Sequence, residues 1–267
     1  MRFDDKVVVV TGGGNGIGRQ VVLELLRRGA RVAAVDIRQE GLDETVGLAD
    51  SGEGLSTHVL DITDRDATAE LAGKVIAEHG AVDGVINVAG IIQPFVKLND
   101  LDYEAIERVI NVNLYGTIHV VKAFLPHLLE RPVAHLANVS SMGGFLPVPG
   151  QTIYGASKAA VKLMTEGLYA ELLETNVAVT VVLPGAVSTD ITANSGVEVP
   201  GSATAEQESS YRTTSPEDAA KIILDGMEED KLHIYVGRDS RMMNLVNRAA
   251  PKRSTHMIYR QMKDLLE

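Results

Sequence analysis

The chain has 267 residues, 45% hydrophobic and 23% charged, enough to bury one large core, and no linker or low-complexity block divides it. Its net charge of −11 argues against general nucleic-acid binding, which depends on basic patches, and zero cysteines exclude disulfides, thiolate metal sites and a cysteine nucleophile. No apolar run approaches the ~18 residues needed to span a bilayer, and MRFDDK runs straight into a strand, so a cytoplasmic location is expected.

Apolar, β-branched runs alternate with segments of helical period. KVVVVTG is followed by a helix over 19–28, RVAAVDI by one over 40–49, STHVLDI by one over 64–79, and then comes VDGVINVAG. Continuous apolar strands of this kind belong to a parallel sheet covered on both faces. The second half continues with helices over 103–113 and 117–129, VAHLANVSS, a long helix over 152–174, and NVAVTVVLPG. SPEDAAKIILDGMEE begins with Ser215 as N-cap and Pro216 at the first helical position, and leads to LHIYVG. Six or seven strands with interleaved helices predict one doubly wound α/β domain over 1–267. Residues 195–214 are small, polar and aperiodic: either a surface loop or a substrate lid, which would span 190–214.

VTGGGNGIG packs five glycines into nine positions between a strand and a helix. Such a turn brings bare N–H groups against a pyrophosphate, and the helix N-terminus adds partial positive charge. The next strand ends at Asp36, where a dinucleotide fold places a carboxylate on the adenosine ribose; a carboxylate there favours NAD over NADP. Arg38, two positions on, leaves NADP open, since a guanidinium could pair with a 2′-phosphate.

YGASK sets Tyr154 and Lys158 four apart on one helix face. Alone the pair is weak, because a Tyr-x-x-x-Lys arises by chance about 0.3 times in a chain of this composition. With TGGGNGIG, Asp61 in LDIT, NVAG at 87–90, Asn113 in NVNLYG, NVSS ending at Ser141 and PGAVST at 184–189, the chain resembles the short-chain dehydrogenase/reductase family in its roughly 250-residue form. The resemblance runs along nearly the whole length. Val88 departs from the residues many relatives carry there, and the C-terminus lacks the Gly-rich segment that builds a tetramer in many members.

The resemblance implies a catalytic set of Asn113, Ser141, Tyr154 and Lys158, with Ser140 the competing serine. It implies nucleotide contacts from Gly12, Asn15, Gly16, Ile17 and Gly18; from Asp36, Asp61 and Ile62; from Asn87, Ala89 and Gly90; from Tyr154 and Lys158; and from Pro184, Gly185, Val187 and Thr189. The implied reaction is alcohol plus NAD⁺ to carbonyl plus NADH, with Tyr154 taking the hydroxyl proton. Using a tyrosine near neutrality requires lowering its pKa by ~3 units, roughly 4 kcal/mol. An ammonium ~5 Å away at an effective dielectric of ~20 supplies about 3 kcal/mol, so Lys158 is expected to do most of this. Family members pair through the helices carrying Asn113 and Tyr154, which implies a homodimer or homotetramer.

Ile92, Gln93, Phe95, Met142, Phe145, Val148, Met242 and Met243 lie beside the motifs and are mostly apolar. They line a pocket for a hydrophobic secondary alcohol or ketone, or they are plain core. The competing functions are an NADP-dependent carbonyl reductase, a non-catalytic NAD-binding regulator, and a sugar epimerase or dehydratase of the extended branch, which needs a longer C-terminal domain. No histidines form a convincing ligand pair, and no metal is expected. The extension over 238–267 carries a local +4, leaving −15 for the rest. Met242, Leu245, Val246 and Ala249 in it follow helical spacing, which reads most simply as packing on the protein's own body.

Overall fold

The computed structural model describes residues 1–49, 53–189, 191–197 and 213–263. Its centre is strand β1 (Val7–Thr11), whose four valines are completely buried although strand geometry points them alternately to opposite faces. Val8 and Val10 join a core layer with Val21, Val22, Leu25, Ile223 and Met227, while Val7 and Val9 join another with Val75, Val120, Phe124 and Leu128. Apolar side chains are needed on both faces because both are covered by helices.

The other strands are β2 (Arg31–Asp36), β3 (Leu55–Val59), β4 (Gly84–Asn87), β5 (Ala134–Val139), β6 (Val177–Pro184) and β7 (His233–Val236). All pair in parallel in the order β3-β2-β1-β4-β5-β6-β7. The winding reverses between β1 and β4, and at such a switch the strand ends leave a crevice. The first helices are α1 (Gly16–Arg27), α2 (Gln39–Leu48), α3 (Arg65–His79), α4 (Tyr103–Ile110) and α5 (Thr117–Leu129). They are followed by α6 (Thr152–Glu171), α7 (Ile191–Ser195), α8 (Pro216–Glu228), α9 (Arg238–Ala249) and α10 (Pro251–Met262). Ser215 caps α8 as expected, its hydroxyl accepting from Asp218 N.

Three elements differ from the sequence-based expectation. The helix expected over 103–113 stops at Ile110 and continues into α5 through a wide π-type turn, Asn111–Gly116. The short helix α7 opens the expected lid and ends where the aperiodic stretch begins; Asp190 and 198–212 of that lid lie outside the described residues, as do 264–267 of the extension. In α9 the phase is reversed: Ser240 and Met243 are buried, while Met242 and Leu245 face outward. Two polar anchors set that phase, Ser240 Oγ donating to Leu183 O at 2.7 Å and Asp239 Oδ2 accepting from Ala186 N at 2.9 Å.

Candidate active site

The glycine-rich turn follows β1 and enters α1 at the switch point. Gly12 has φ +70°, and a Cβ there would lie 2.9 Å from Ala89 N; a Cβ on Gly18 would overlap the Gly12 carbonyl oxygen. Only glycine lets the turn, α1 and the end of β4 approach this closely. Asn15 caps α1 through its side-chain oxygen, and its Nδ2 donates to Asn194 Oδ1 of α7 at 3.2 Å. The N-terminus of α1 opens into a cleft of about 560 Å³ lined by Gly12, Asn15, Gly16, Ile17 and Gly18.

At one end of the cleft stands Asp36. Its carboxylate already holds the turn, accepting from Gly14 N at 2.9 Å and Arg38 N at 3.1 Å. Arg38 and Arg108 line the same cleft; Arg108, on α4, carried no signal in the sequence. Asp61 and Ile62 line it too, Asp61 being fixed by Thr63, whose N and Oγ1 both donate to its Oδ1 at 2.9 and 2.7 Å. Ala89, Gly90, Pro184, Gly185, Val187 and Thr189 complete the expected lining. Asn87 is buried away from it, donating through Nδ2 to Asn138 Oδ1 at 2.8 Å and so tying β4 to β5.

At the other end are Ser141, Tyr154 and Lys158. The two serines are separated by their partners. Ser140 Oγ is spent on Lys158 O at 2.7 Å, inside the protein, whereas Ser141 lines the cleft with Tyr154 and accepts from Gly143 N at 3.0 Å. Asn113 is completely buried and does not line the cleft. Its carboxamide clasps Ile91, accepting from Ile91 N and donating to Ile91 O, both at 2.9 Å, and it donates to Ser157 Oγ at 3.0 Å. A Cβ on Gly90 would fall 2.9 Å from Lys158 Nζ and 3.2 Å from Asn113 Oδ1, so the bare backbone there leaves room for both groups.

The electrostatics correct one expectation. Burial pushes the Tyr154 phenol above its ordinary pKa of 10.0, the Ser141 hydrogen bond pulling the other way. Lys158 donates instead to Val139 O at 3.0 Å, and burial lowers it from 10.5 to about 8. Desolvation therefore dominates both groups and favours their neutral forms, and Lys158 alone does not hold the phenol low.

Five of the residues considered for the substrate have defined surroundings. Met142, Phe145 and Met243 pack with Leu146 and Ile258 in a small separate cluster, Met242 lines an outer groove between α8 and α9, and Gln93 is completely buried. Among the described residues no three His, Asp or Glu side chains gather as a metal site, and no helix is long and apolar enough to cross a membrane.

A seven-stranded parallel sheet with a glycine turn at its switch point, an acidic β2 terminus and a Ser-Tyr-Lys group defines a Rossmann-like protein. The family model for short chain dehydrogenase matches residues 6–199, and the chain belongs to that family. It is 35% identical over 257 residues to SadH of Mycobacterium tuberculosis, which bears the name of an oxidoreductase, covering 92% of this chain and 91% of that one. It is 38% identical over 195 residues to FabG of Thermotoga maritima, named a 3-oxoacyl-[acyl-carrier-protein] reductase, covering 72% and 78%. The fold matches that of a Burkholderia phymatum short chain dehydrogenase/reductase in complex with NAD, with TM-score 0.82 and 24% identity over 93% of this chain and 96% of that one. A Burkholderia cenocepacia short chain dehydrogenase in complex with NADP matches with TM-score 0.80 and 28% identity, covering 97% and 99%. The chain is an oxidoreductase of this family acting on CH–OH donors.

Proposed function

We propose that the protein interconverts a hydrophobic secondary alcohol and its ketone with a nicotinamide dinucleotide, NAD in preference to NADP. The observation that carries this reading is one continuous cleft with a glycine-bare turn in the middle, a carboxylate at one end and Ser141, Tyr154 and Lys158 at the other. These residues fit the dinucleotide: the α1 N-terminus takes its pyrophosphate, Asp36 with Asp61 and Ile62 its adenosine half, and Lys158, Val187 and Thr189 its nicotinamide half. When bound, the nicotinamide supplies the hydride acceptor or donor.

The chain's own part is placement and proton transfer. Ser141 holds the substrate oxygen by a hydrogen bond. Tyr154 Oη takes the hydroxyl proton as the carbonyl forms and returns it in the reverse direction. Lys158, 4% exposed, offers an ammonium where a phenolate would form, and Asn113 holds the backbone beside it. Because burial raises the phenol in the free protein, a cationic ring in the cleft would add the attraction that Lys158 alone does not supply.

A second reading, NADP-dependent ketone reduction, draws on Arg38 and Arg108 beside Asp36, and on the name of the Thermotoga relative. Whichever nucleotide it uses, we propose that the molecule pairs as a homodimer, or as a homotetramer built on that pair, through α4, the wide turn and α6.

A panel of open-chain and alicyclic secondary alcohols, offered with NAD⁺ and with NADP⁺, tests both readings by the absorbance of the reduced nucleotide. Turnover with NAD⁺ at the higher kcat/KM is expected. Tyr154→Phe should lose about 10²–10⁴-fold in kcat while binding NADH within about threefold by fluorescence. A variant as fast as the parent removes Tyr154 from the reaction.

A further inference from the structure

Three consecutive residues leave the end of β4, and each makes a different long-range hydrogen bond. Ile91 is clasped on both backbone groups by Asn113 from the wide turn. Ile92 N donates to Ser195 Oγ of α7 at 3.0 Å. Gln93, 0% exposed, reaches the start of α6: its Oε1 accepts from Ile153 N at 2.7 Å and Tyr154 N at 3.0 Å, and its Nε2 donates to Gly150 O at 2.9 Å. The contact is reciprocal, since Gln151 Nε2 donates to Gln93 O at 2.8 Å.

Helix α6 has no local side-chain cap; Gln151 occupies the N-cap position and makes no capping bond. The first N–H groups of a helix have no partner within it and must find one outside. Here two of them find it in a carboxamide about sixty residues upstream. Tyr154 is the third residue of that helix, so the group that satisfies its amide also seats its side chain.

We propose that Gln93 is a positioning residue for the reaction, capping α6 in trans and thereby fixing where the Tyr154 phenol stands relative to Ser141 and Lys158. This rests on the proposed role of Tyr154. Replacing the carboxamide with an alkyl group leaves two amides and the Gly150 carbonyl without partners, and the helix start must shift or fray to reach water. A displacement well below a helical turn is enough to misplace a proton acceptor. Gln93→Glu loses the donor to Gly150 O but keeps the acceptor for both amides, in a place where a helix N-terminus favours negative charge.

The test uses amide hydrogen exchange in the free protein together with steady-state rates. In the parent, Ile153 and Tyr154 amides should exchange as slowly as Val161 and Thr165 in the middle of α6; fast exchange there overturns the proposal without any variant. In Gln93→Leu the two amides should exchange at least ~10-fold faster with Val161 and Thr165 unchanged, and Gln93→Glu should restore them. With any alcohol of the panel that the parent oxidises, Gln93→Leu should lose ~10–100-fold in kcat with the nucleotide KM within about twofold, and Gln93→Glu should recover most of it. Parent-like exchange in a folded Gln93→Leu, or a loss confined to nucleotide KM, sinks the proposal. If the parent oxidises none of the alcohols, the proposed reaction fails on its own, and the exchange data still decide the cap.

Discussion

Lys158, buried, sits beside the half-buried Tyr154 in one cleft, and each has its charged form disfavoured. Because its pKa falls from 10.5 to about 8, the Lys158 amine is an ammonium below about pH 8 and neutral above it. Between about 8 and 10.5 the unfolded chain holds a proton that the folded one has lost, so this lysine adds stability as pH rises through that window. In the protein labelled with ¹³C at lysine Cε, one resonance should titrate near 8 and be missing from Lys158→Met. A Lys158 resonance titrating near its ordinary 10.5 would show that water or a counter-charge reaches it. The residue types at this site were legible in the sequence because motif order fixed Tyr154, Lys158 and the pair of serines. The choice of Ser141 over Ser140 became physical only in three dimensions, where Ser140 is spent on the α6 backbone. Gln93 was out of reach for the same reason: a cap supplied from the segment after β4 leaves no local pattern, and its neighbours suggested a pocket wall.

Elements were read well where their period was strong and badly where a tertiary bond interrupted it. The apolar run of β1 and the Ser-Pro start of α8 translate directly into a buried strand and a capped helix. The wide turn Asn111–Gly116 does not follow from period: helical spacing is silent where Asn113 turns its side chain to Ile91, and only the family resemblance, which implies that an Asn at 113 bends its helix, pointed to it. In α9, Asp239 and Ser240 decide the buried face by bonding to β6 and the segment after it, against the apolar stripe. Helix α6 bears on the proposed dimer. Its outer face carries Ala156, Leu163, Gly167 and Ala170, all exposed, with Leu163 at 71%, and Tyr103 of neighbouring α4 is 80% exposed. Small residues around one large apolar side chain let a second helix approach closely, and two copies of this face would bury Leu163 against the other's glycine. Leu163→Glu sets a carboxylate at the centre of that contact, across from its own symmetry mate. Light scattering behind size exclusion should report a dimer for the parent and a monomer for Leu163→Glu, with similar far-ultraviolet circular dichroism. A parent that is monomeric at micromolar concentration refutes the pairing.

For the whole molecule, composition and alternation announced a doubly wound sheet, but strand order and the far end of the sheet were not written in any motif. There, opposite the cleft, His135 of β5 is completely buried. Thr180 Oγ1 donates to Lys231 O at 2.7 Å, so at 2.9 Å it accepts from His135 Nε2, which fixes the proton on that nitrogen. His135 Nδ1 is left without a hydrogen bond, 3.6 Å from Asp230 Oδ1, an oxygen that also accepts from the Met1 amino group at 3.1 Å. Burial first, then the nearby amino charge, lower the imidazole from 6.5 to about 4, with Asp230 opposing them. As pH falls from 6.5 toward 4 the unfolded chain takes a proton that the folded one refuses, so stability present above 6.5 is lost across that window, by about 3 kcal/mol from this group. His58 and His79, both lowered by burial, act in the same direction, so the comparison must be with a variant rather than with theory. His135→Gln keeps a donor toward Thr180 and removes the titration. Urea unfolding at intervals between about pH 7 and pH 4.5 should give a shallower loss of stability for His135→Gln than for the parent, the two curves drawing together as the pH falls. Parallel curves would mean that the folded protein protonates His135 at its ordinary pKa, with Asp230 offsetting burial and the amino charge.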